Sequence, residues 1–371
     1  MKIMIAGGGT GGHLYPGVAI VEEIVARDPS AAVSFVGTAR GIEARVVPKL
    51  GYPLDLIEVT GLKTMGLGGV VRGLLRLPRA LWQSRAILKA RRPDVVIGVG
   101  GYASGPVLLM ARLGGIPTAI LEQNSIPGLT NKILGKICRA VFLAFEETRR
   151  FFPARKVLMT GNPIRAAIRA SLTATTSEES PGAIPHIFVF GGSQGAAALN
   201  AIVVDAVAAL ARRNTPVSIV HQTGERSLAE TRARYEAAGI TADVRAFIED
   251  MAREYLRADV VIARAGATTI AELSVVGRPA ILVPFPFAAD DHQTVNAREL
   301  ADAGAAILAP QDSLTGESLA DAIARIAFDP ATRARMGSVM KGFGRPDAAA
   351  AIADWCEGAI AAGQKSGSRV S

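Results

Sequence analysis

Residues 2–16 read "KIMIAGGGTGGHLYP": an apolar run, five glycines in six positions, and the first of only four histidines. "KIMIA" lacks period-two alternation, as expected of a parallel strand covered on both faces. Glycines directly after such a strand, followed by helix-compatible sequence over Pro16–Arg27, describe a turn whose backbone N–H groups can approach an anion. The arrangement restarts at residues 186–196, "HIFVFGGSQGA", with Ser193 in the place of Thr10. Working outward, "AVSFVG" (32–37), "DVVIGV" (94–99) and "TAILEQ" (118–123) follow the first unit, with helical spacing over Leu81–Ala90 between them. "VSIVHQTG" (217–224), "DVRAFI" (243–248), "ADVVIARAG" (258–266) and "PAILVPFP" (279–286) follow the second. A polar stretch, "SLTATTSEESPGAIP" (171–185), separates the two series. The repeat predicts an α/β chain of two Rossmann-like domains with parallel sheets. Their active site is expected in the cleft facing the carboxyl ends of both sheets.

The totals agree with that reading. At 371 residues the chain is too long for one ordinary core, and 49% hydrophobic with 20% charged residues excludes a disordered protein. A net charge of +8 asks for an anionic partner, whether nucleic acid, a phosphorylated small molecule or an anionic membrane. Aromatics at 5% argue against a base-stacking platform for nucleic acid. The two cysteines, Cys138 and Cys356, offer neither a disulfide framework nor a zinc site and fit a reducing compartment. "MKIMIAGGGTGG" breaks into glycines before a signal-peptide core can form. The longest uncharged stretch, Val95–Ala111, holds four glycines and Pro106, so a buried strand, a loop and a buried helix explain it better than a membrane span.

Three glycine loops, at Gly7–Gly12, Gly98–Gly105 and Gly191–Gly195, are candidate anion sites. Dinucleotide binding is disfavoured, because the second strand ends in "TARG" (38–41) with no acid to hold a ribose. A Walker motif is also missing, which removes support for NTP hydrolysis. The stretch "RAGATTIAELSVVGRPAILVPFP" (264–286) leads a strand into a helix start of small residues, with Glu272 one to two turns in. A carboxylate there can accept two hydrogen bonds from a ribose diol, although a solvated helix glutamate is the commoner fate. Gln293 and Asn296, three apart, share a helix face, and amides that donate and accept suit sugar hydroxyls. Asp290 and Asp291 read as a helix cap rather than metal ligands, and His292 as a surface or capping residue.

Taken together, "GGGTGGHLYP", "GVGGYASGP", "LEQNSIPG", "GNPIR", "FGGSQGA", "FIEDM", "RAGATTIAEL" and "PFPFAADDHQTVNA" resemble the MurG family in identity and order, from residue 6 to about 297. These are the UDP-N-acetylglucosamine:N-acetylmuramyl-(pentapeptide)-pyrophosphoryl-undecaprenol N-acetylglucosaminyltransferases of bacterial cell-wall synthesis. The resemblance implies a GT-B fold: an acceptor- and membrane-facing domain over residues 1–163, completed by a returning helix at 344–365, and a UDP-N-acetylglucosamine-binding domain over 164–343. Carried onto this chain, the donor site comprises Thr10, Gly11, Gly12, Asn124, Arg165, Ser193, Ile248, Ala267, Thr268, Thr269, Ile270, Ala271, Glu272 and Gln293. Ile248 would meet the uracil through its backbone, Glu272 the ribose, Ser193 the diphosphate, and Gln293 the transferred sugar. Phe287 departs from the pattern, since many relatives have histidine there.

The implied reaction is inverting transfer to the muramyl 4-hydroxyl, without cofactor or metal, the last cytoplasmic step in making the lipid-linked precursor. His13 is the candidate base, since imidazole titrates in the useful range; a histidine that only bonds loop carbonyls is the alternative. Eight basic residues and no acid lie between Glu58 and Asp94, interleaved with Leu74, Leu75, Leu77, Leu81 and Trp82. Leu74, Leu75, Leu77, Arg79 and Trp82 are therefore candidates for contact with an anionic membrane, against the alternative of a solvated helix face. The expected setting is peripheral, on the cytoplasmic face of the bacterial membrane, with UDP-N-acetylglucosamine and undecaprenyl-linked muramyl-pentapeptide as substrates, other cell-wall and division proteins as further partners, and no nucleic acid. A related GT-B enzyme with another acceptor, or a UDP-N-acetylglucosamine 2-epimerase, stays open as an alternative.

Overall fold

The computed structural model describes residues 1–59, 67–170, 184–192 and 195–367, with backbone alone at 67–75, 289 and 364–367. The chain divides into two compact units, residues 1–166 with 346–371 and residues 167–345.

Strands of the first unit are β1 (Lys2–Ala6), β2 (Ala32–Gly37), β3 (Leu54–Leu56), β4 (Val95–Gly98), β5 (Thr118–Glu122), β6 (Ala140–Leu143) and β7 (Val157–Met159). They form one parallel sheet in the order β3-β2-β1-β4-β5-β6-β7. Its helices are α1 (Gly11–Arg27), α2 (Glu43–Lys49), α3 (Leu67–Arg91), α4 (Ser104–Leu113) and α5 (Leu129–Ile137), with α6 (Ala166–Ala170) at the boundary.

The continuous apolar runs are explained by the pleat, which sends neighbours to opposite faces, both covered. Ile3 and Ile5 join Phe35, Ile97, Leu121 and Phe142 in one core, beneath Leu14, Val18 and Val21 of α1. Met4 and Ala6 join Val36, Val96, Ile120 and Val141 in the other, beneath Val107, Leu108 and Ala111 of α4. The expected strand, loop and buried helix over Val95–Ala111 are β4, the Gly100–Gly101 turn and α4. Two helices run longer than the pattern suggested. α1 takes in Gly11 and Gly12, and α3 extends N-terminally from Leu81 to Leu67, through Pro78.

The second unit contains β8 (His186–Phe190), β9 (Ser218–Gln222), β10 (Asp243–Arg245), β11 (Val260–Ala263), β12 (Ala280–Leu282) and β13 (Ala306–Leu308). These also pair in parallel, in the order β10-β9-β8-β11-β12-β13. Its helices are α7 (Ala197–Arg212), α8 (Leu228–Ala237), α9 (Met251–Arg257), α10 (Ala267–Val276), α11 (His292–Asp302), α12 (Gly316–Ala327) and α13 (Pro330–Gly342). One sheet face, with Ile187, Val189, Ile219, Ile262 and Ile281, packs on α7 and α12. The other carries an aromatic cluster of Phe188, Phe190 and Tyr255, with centroids 5.0–5.9 Å apart.

The last helix, α14 (Ala348–Gly367), belongs to the first unit. Ile352, Ala353, Cys356 and Ala359 enter its core, and Trp355 meets Phe142 edge-on at 5.4 Å.

Candidate active site

In an open parallel sheet, ligands bind beyond the carboxyl ends of the strands, where the strand order reverses. In the first unit that point lies between β1 and β4; in the second, between β8 and β11. Each is flanked by a pair of the sequence motifs: "GGGTGG" and "GVGGYASGP" in one, "GGSQGA" and "RAGATT" in the other.

The first loop is held from both sides. Gly7, Gly8 and Gly9 all have positive φ (144°, 135° and 89°). Gly7 N–H donates to Val36 O and Gly8 N–H to Gly100 O, at 2.9 and 3.2 Å. Gly9 N–H donates to Oε2 of Glu43 at 2.7 Å. A Cβ at Gly7 would lie 2.2 Å from Gly100 O, and one at Gly101 2.5 Å from Gly8 O, so the loops after β1 and β4 interlock through absent side chains. Ser104 pins the junction, donating from Oγ towards Ala6 O and Gly100 O at 2.8 and 2.9 Å. The amides of residues 7–9 are thus spent on the fold, and the capacity for an anion passes to the helix start at residues 10–12. Thr10 is the N-cap of α1 but makes no side-chain cap.

His13 sits in the first turn of α1, half-buried, with its N–H donated to Thr10 O at 3.2 Å. Its Nδ1 lies 3.3 Å from Thr10 Oγ1. The ring rests on Gly100, where a Cβ would come within 2.6 Å of Cδ2. Asn124 follows β5, its backbone N–H and Nδ2 both directed at Oε1 of Glu122 (3.0 and 3.4 Å). Glu122 also accepts from Asn131 Nδ2 at 2.9 Å, and burial pushes its carboxyl pKa up. Arg165 follows β7 in the first unit, with its guanidinium 5.5 Å from the Tyr15 ring centroid.

In the second unit α10 starts at Ala267, three residues after β11, with Gly266 as N-cap and no side-chain cap. Thr268, Thr269 and Ala271 are half-buried, Ala267 and Ile270 buried. Glu272 is only 3% exposed, and Tyr255 donates its hydroxyl to Oε2 at 3.0 Å. The solvated-glutamate alternative is therefore wrong for this residue, which is buried beside Tyr255 of α9. Ile248 has a buried side chain in the loop after β10, one residue beyond the exposed Phe247. Gln293 Oε1 accepts from Phe285 N–H at 2.9 Å, tying α11 to the turn after β12. Asn296 is fully buried, directed at Ala265 O at 3.5 Å. Asp290 and Asp291 both adopt left-handed backbone (φ 56° and 52°). Asp291 occupies the N-cap of α11, but its carboxylate accepts from Thr294 Oγ1 at 2.6 Å rather than from backbone N–H. Phe287 is 84% exposed. Ser193 lies outside the described residues.

Three features escaped the sequence reading. Glu43 holds Gly9. Arg264, whose pKa burial lowers, donates to Val283 O, Pro284 O and Gln311 Oε1 and so fixes the turn after β12. Behind the second glycine loop stands a buried neutral chain. Asn200 Nδ2 donates to Thr223 O at 3.0 Å, so its Oδ1 accepts from His221 Nε2–H at 3.1 Å. His221 Nδ1 then accepts from Tyr235 OH at 3.0 Å. Desolvation holds this imidazole neutral, with its pKa pushed down to about 3. Gln222 Nε2 donates to Gly192 O at 3.1 Å, bonding the loop directly.

Two doubly wound units, each with a glycine loop at its switch point, are a scaffold for binding a nucleotide ligand, and the family matches make this one a glycosyltransferase. The family 28 N-terminal domain matches residues 3–143 and the family 28 C-terminal domain residues 186–352. The chain belongs to the MurG family within that class. It is 53% identical over 356 residues to the UDP-N-acetylglucosamine--N-acetylmuramyl-(pentapeptide) pyrophosphoryl-undecaprenol N-acetylglucosamine transferase of Anaeromyxobacter sp. (strain K), covering 96% of this chain and 92% of the relative. It is 50% identical over 357 residues, with the same coverage, to the protein of that name in Myxococcus xanthus. The crystal structure of Acinetobacter baumannii MurG superposes with a TM-score of 0.78 at 32% identity, over 96% of this chain and 99% of that one.

Proposed function

We propose that the chain transfers N-acetylglucosamine from UDP to the 4-hydroxyl of undecaprenyl-pyrophosphoryl-N-acetylmuramyl-pentapeptide, with inversion at the anomeric carbon. The observation that carries this reading is half identity over nearly the whole chain to transferases of that name. The described site residues all follow the carboxyl ends of their strands, which supports it further.

In the acceptor half, His13 is the general base. In the tautomer whose Nδ1–H donates to Thr10 Oγ1, 3.3 Å away, Nε2 takes the 4-hydroxyl proton. The hydroxyl oxygen bonds to the anomeric carbon as the carbon–oxygen bond to UDP breaks and UDP leaves with the electron pair. In the donor half, the roles carried by the resemblance are the start of α10 and Ser193 for the diphosphate, Glu272 for the ribose, the Ile248 backbone for the uracil and Gln293 for the sugar. A helix N-terminus carries about half a positive charge. It stabilises the departing oxygens, where one well-placed donor is worth about 3 kcal/mol.

The lipid acceptor requires a membrane surface. Trp82 of α3 and Leu113 of α4 are each 71% exposed, and Leu77 of α3 is exposed as well. Arg79 is exposed and paired with Glu58 at 2.9 Å, so part of the basic face is internally balanced. Leu74 and Leu75 lie in α3, their side chains outside the described residues. Among the described residues, no helix is long and apolar enough to cross a membrane. Contact is peripheral, on the cytoplasmic side, with each unbalanced charge worth about 1 kcal/mol against anionic lipid.

Purified protein given UDP-N-acetylglucosamine and a lipid-linked muramyl acceptor is expected to release UDP, and to do so more slowly with UDP-glucose or UDP-galactose. Turnover without acceptor would favour an epimerase, and no release with acceptor would refute the assignment. Trp82→Ala and Leu113→Ala should weaken sedimentation with phosphatidylglycerol vesicles while leaving binding of UDP-N-acetylglucosamine intact.

A further inference from the structure

Glu43 is 1% exposed, and its role is not explained by any substrate contact. It opens α2, six residues beyond β2, and its carboxylate is fully engaged by two loops. Oε2 accepts from Gly9 N–H at 2.7 Å; Oε1 accepts from Thr38 N–H at 2.9 Å and from Thr38 Oγ1 at 3.0 Å. Three glycines box it in. A Cβ at Gly8, Gly37 or Gly41 would fall 2.4, 2.4 or 2.1 Å from an atom of the Glu43 side chain. Two loops and the end of β2 have given up side chains around one buried carboxylate. Burying such a group is costly unless its oxygens are hydrogen-bonded, and here they are.

The carboxylate acts where the proposed base begins. Gly9 precedes Thr10, whose carbonyl accepts from His13 N–H and Leu14 N–H at 3.2 and 3.1 Å and whose hydroxyl lies beside His13 Nδ1. On its other side the same loop is pinned by Gly8 N–H to Gly100 O. We propose that Glu43 is a positioning residue for the transfer: its grip on Gly9 sets the place of Thr10, and through it the tautomer and direction of His13. This rests on the assignment of His13 as base. The acid missing at the end of the second strand is thus present a few residues later, turned onto the loop rather than onto a ribose.

Glu43→Gln tests it with a near-isosteric change. One carboxamide cannot accept at both ends, so its NH2 must confront either Gly9 N–H or the Thr38 donors. Turnover is expected to fall 10- to 100-fold, while the KM for UDP-N-acetylglucosamine, bound mainly by the second unit, stays within twofold. In a His13→Ala background the same change should cost less than twofold. A folded Glu43→Gln enzyme with kcat within twofold of wild type overturns the proposal, and so does a loss that multiplies in full onto His13→Ala. His13→Ala turning over at the wild-type rate instead overturns the base assignment, an outcome read from that single variant alone. Should Glu43→Gln melt below the assay temperature, Glu43→Asp, which keeps the charge but falls short of Gly9, is measured against the same criteria.

Discussion

The first and second glycine loops leave their sheets at equivalent switch points, yet they are braced by opposite means. Behind the first stands a carboxylate that grips a backbone N–H, Glu43 on Gly9. The second is held by neutral amides at backbone carbonyls, Gln222 on Gly192 O and Asn200 on Thr223 O, with His221 and Tyr235 behind Asn200. The same local turn can be fixed by one charge-assisted contact or by a relay of neutral ones. The two solutions are vulnerable to different insults: the carboxylate to neutralisation of its own charge, the relay to protonation of its imidazole.

The comparison breaks first on the glycines themselves. Gly195→Ala would set a Cβ 1.9 Å from Thr223 O at φ +73°, and Gly7→Ala one 2.2 Å from Gly100 O at φ +144°. Both obstacles are backbone, so each substitution should cost about 3 kcal/mol or more, read as a lowered thermal midpoint. If Gly7→Ala were silent, the interlock of the loops after β1 and β4 would be wrong. Next in size, His13→Asn should lower kcat about a hundredfold with donor affinity preserved, in a donor-binding titration run beside the assay. That result would set the first loop apart as the chemical one.

The neutral relay makes a pH prediction. His221 has a folded pKa near 3, against about 6.5 unfolded, so between those values the unfolded chain holds the extra proton. Stability therefore falls as pH drops below about 6.5, and acidification from pH 7 to pH 5 should cost about 2 kcal/mol through this group. Denaturant titrations of wild type and His221→Gln should differ in slope over that window; equal slopes would remove the relay's charge sensitivity. The smallest effects belong to Gly9 and Gly192, where a Cβ meets nothing within 4 Å although φ is +89° and +90°. Alanine there should cost only about 1 kcal/mol of backbone strain, and a cost like that of Gly195→Ala would mean the loops are tighter than drawn.

What the sequence revealed and what it hid divide along the same line. Continuous apolar strands and glycine turns are local patterns, so both sheets and both loops are legible from runs such as "KIMIA" and "HIFVF", whereas the return of the last helix is implied only by the family resemblance. The braces are not. Glu43 reaches back 34 residues to Gly9, beyond the window in which an acid is sought after a second strand. His221 sits in an apolar strand with partners at Asn200 and Tyr235, and its neutral role exists only once all three are buried together. Glu272 could be read as a solvated glutamate because helix position alone does not say which face its neighbours cover. The left-handed pair Asp290–Asp291 announces itself only as two polar residues before a helix.

The return of α14 to the first unit has a consequence during synthesis. Residues 167–345 are contiguous and complete as a unit, whereas the first unit lacks the Ile352, Ala353, Cys356 and Ala359 side of its core until the end of the chain has been made. At ribosomal speeds of about 5–20 residues per second, the segment that ends at Ala166 waits roughly 10–40 s for that helix. The domain that begins first is the one that closes last, and the exposed underside of its sheet is where a nascent chain of this protein is most in need of a chaperone.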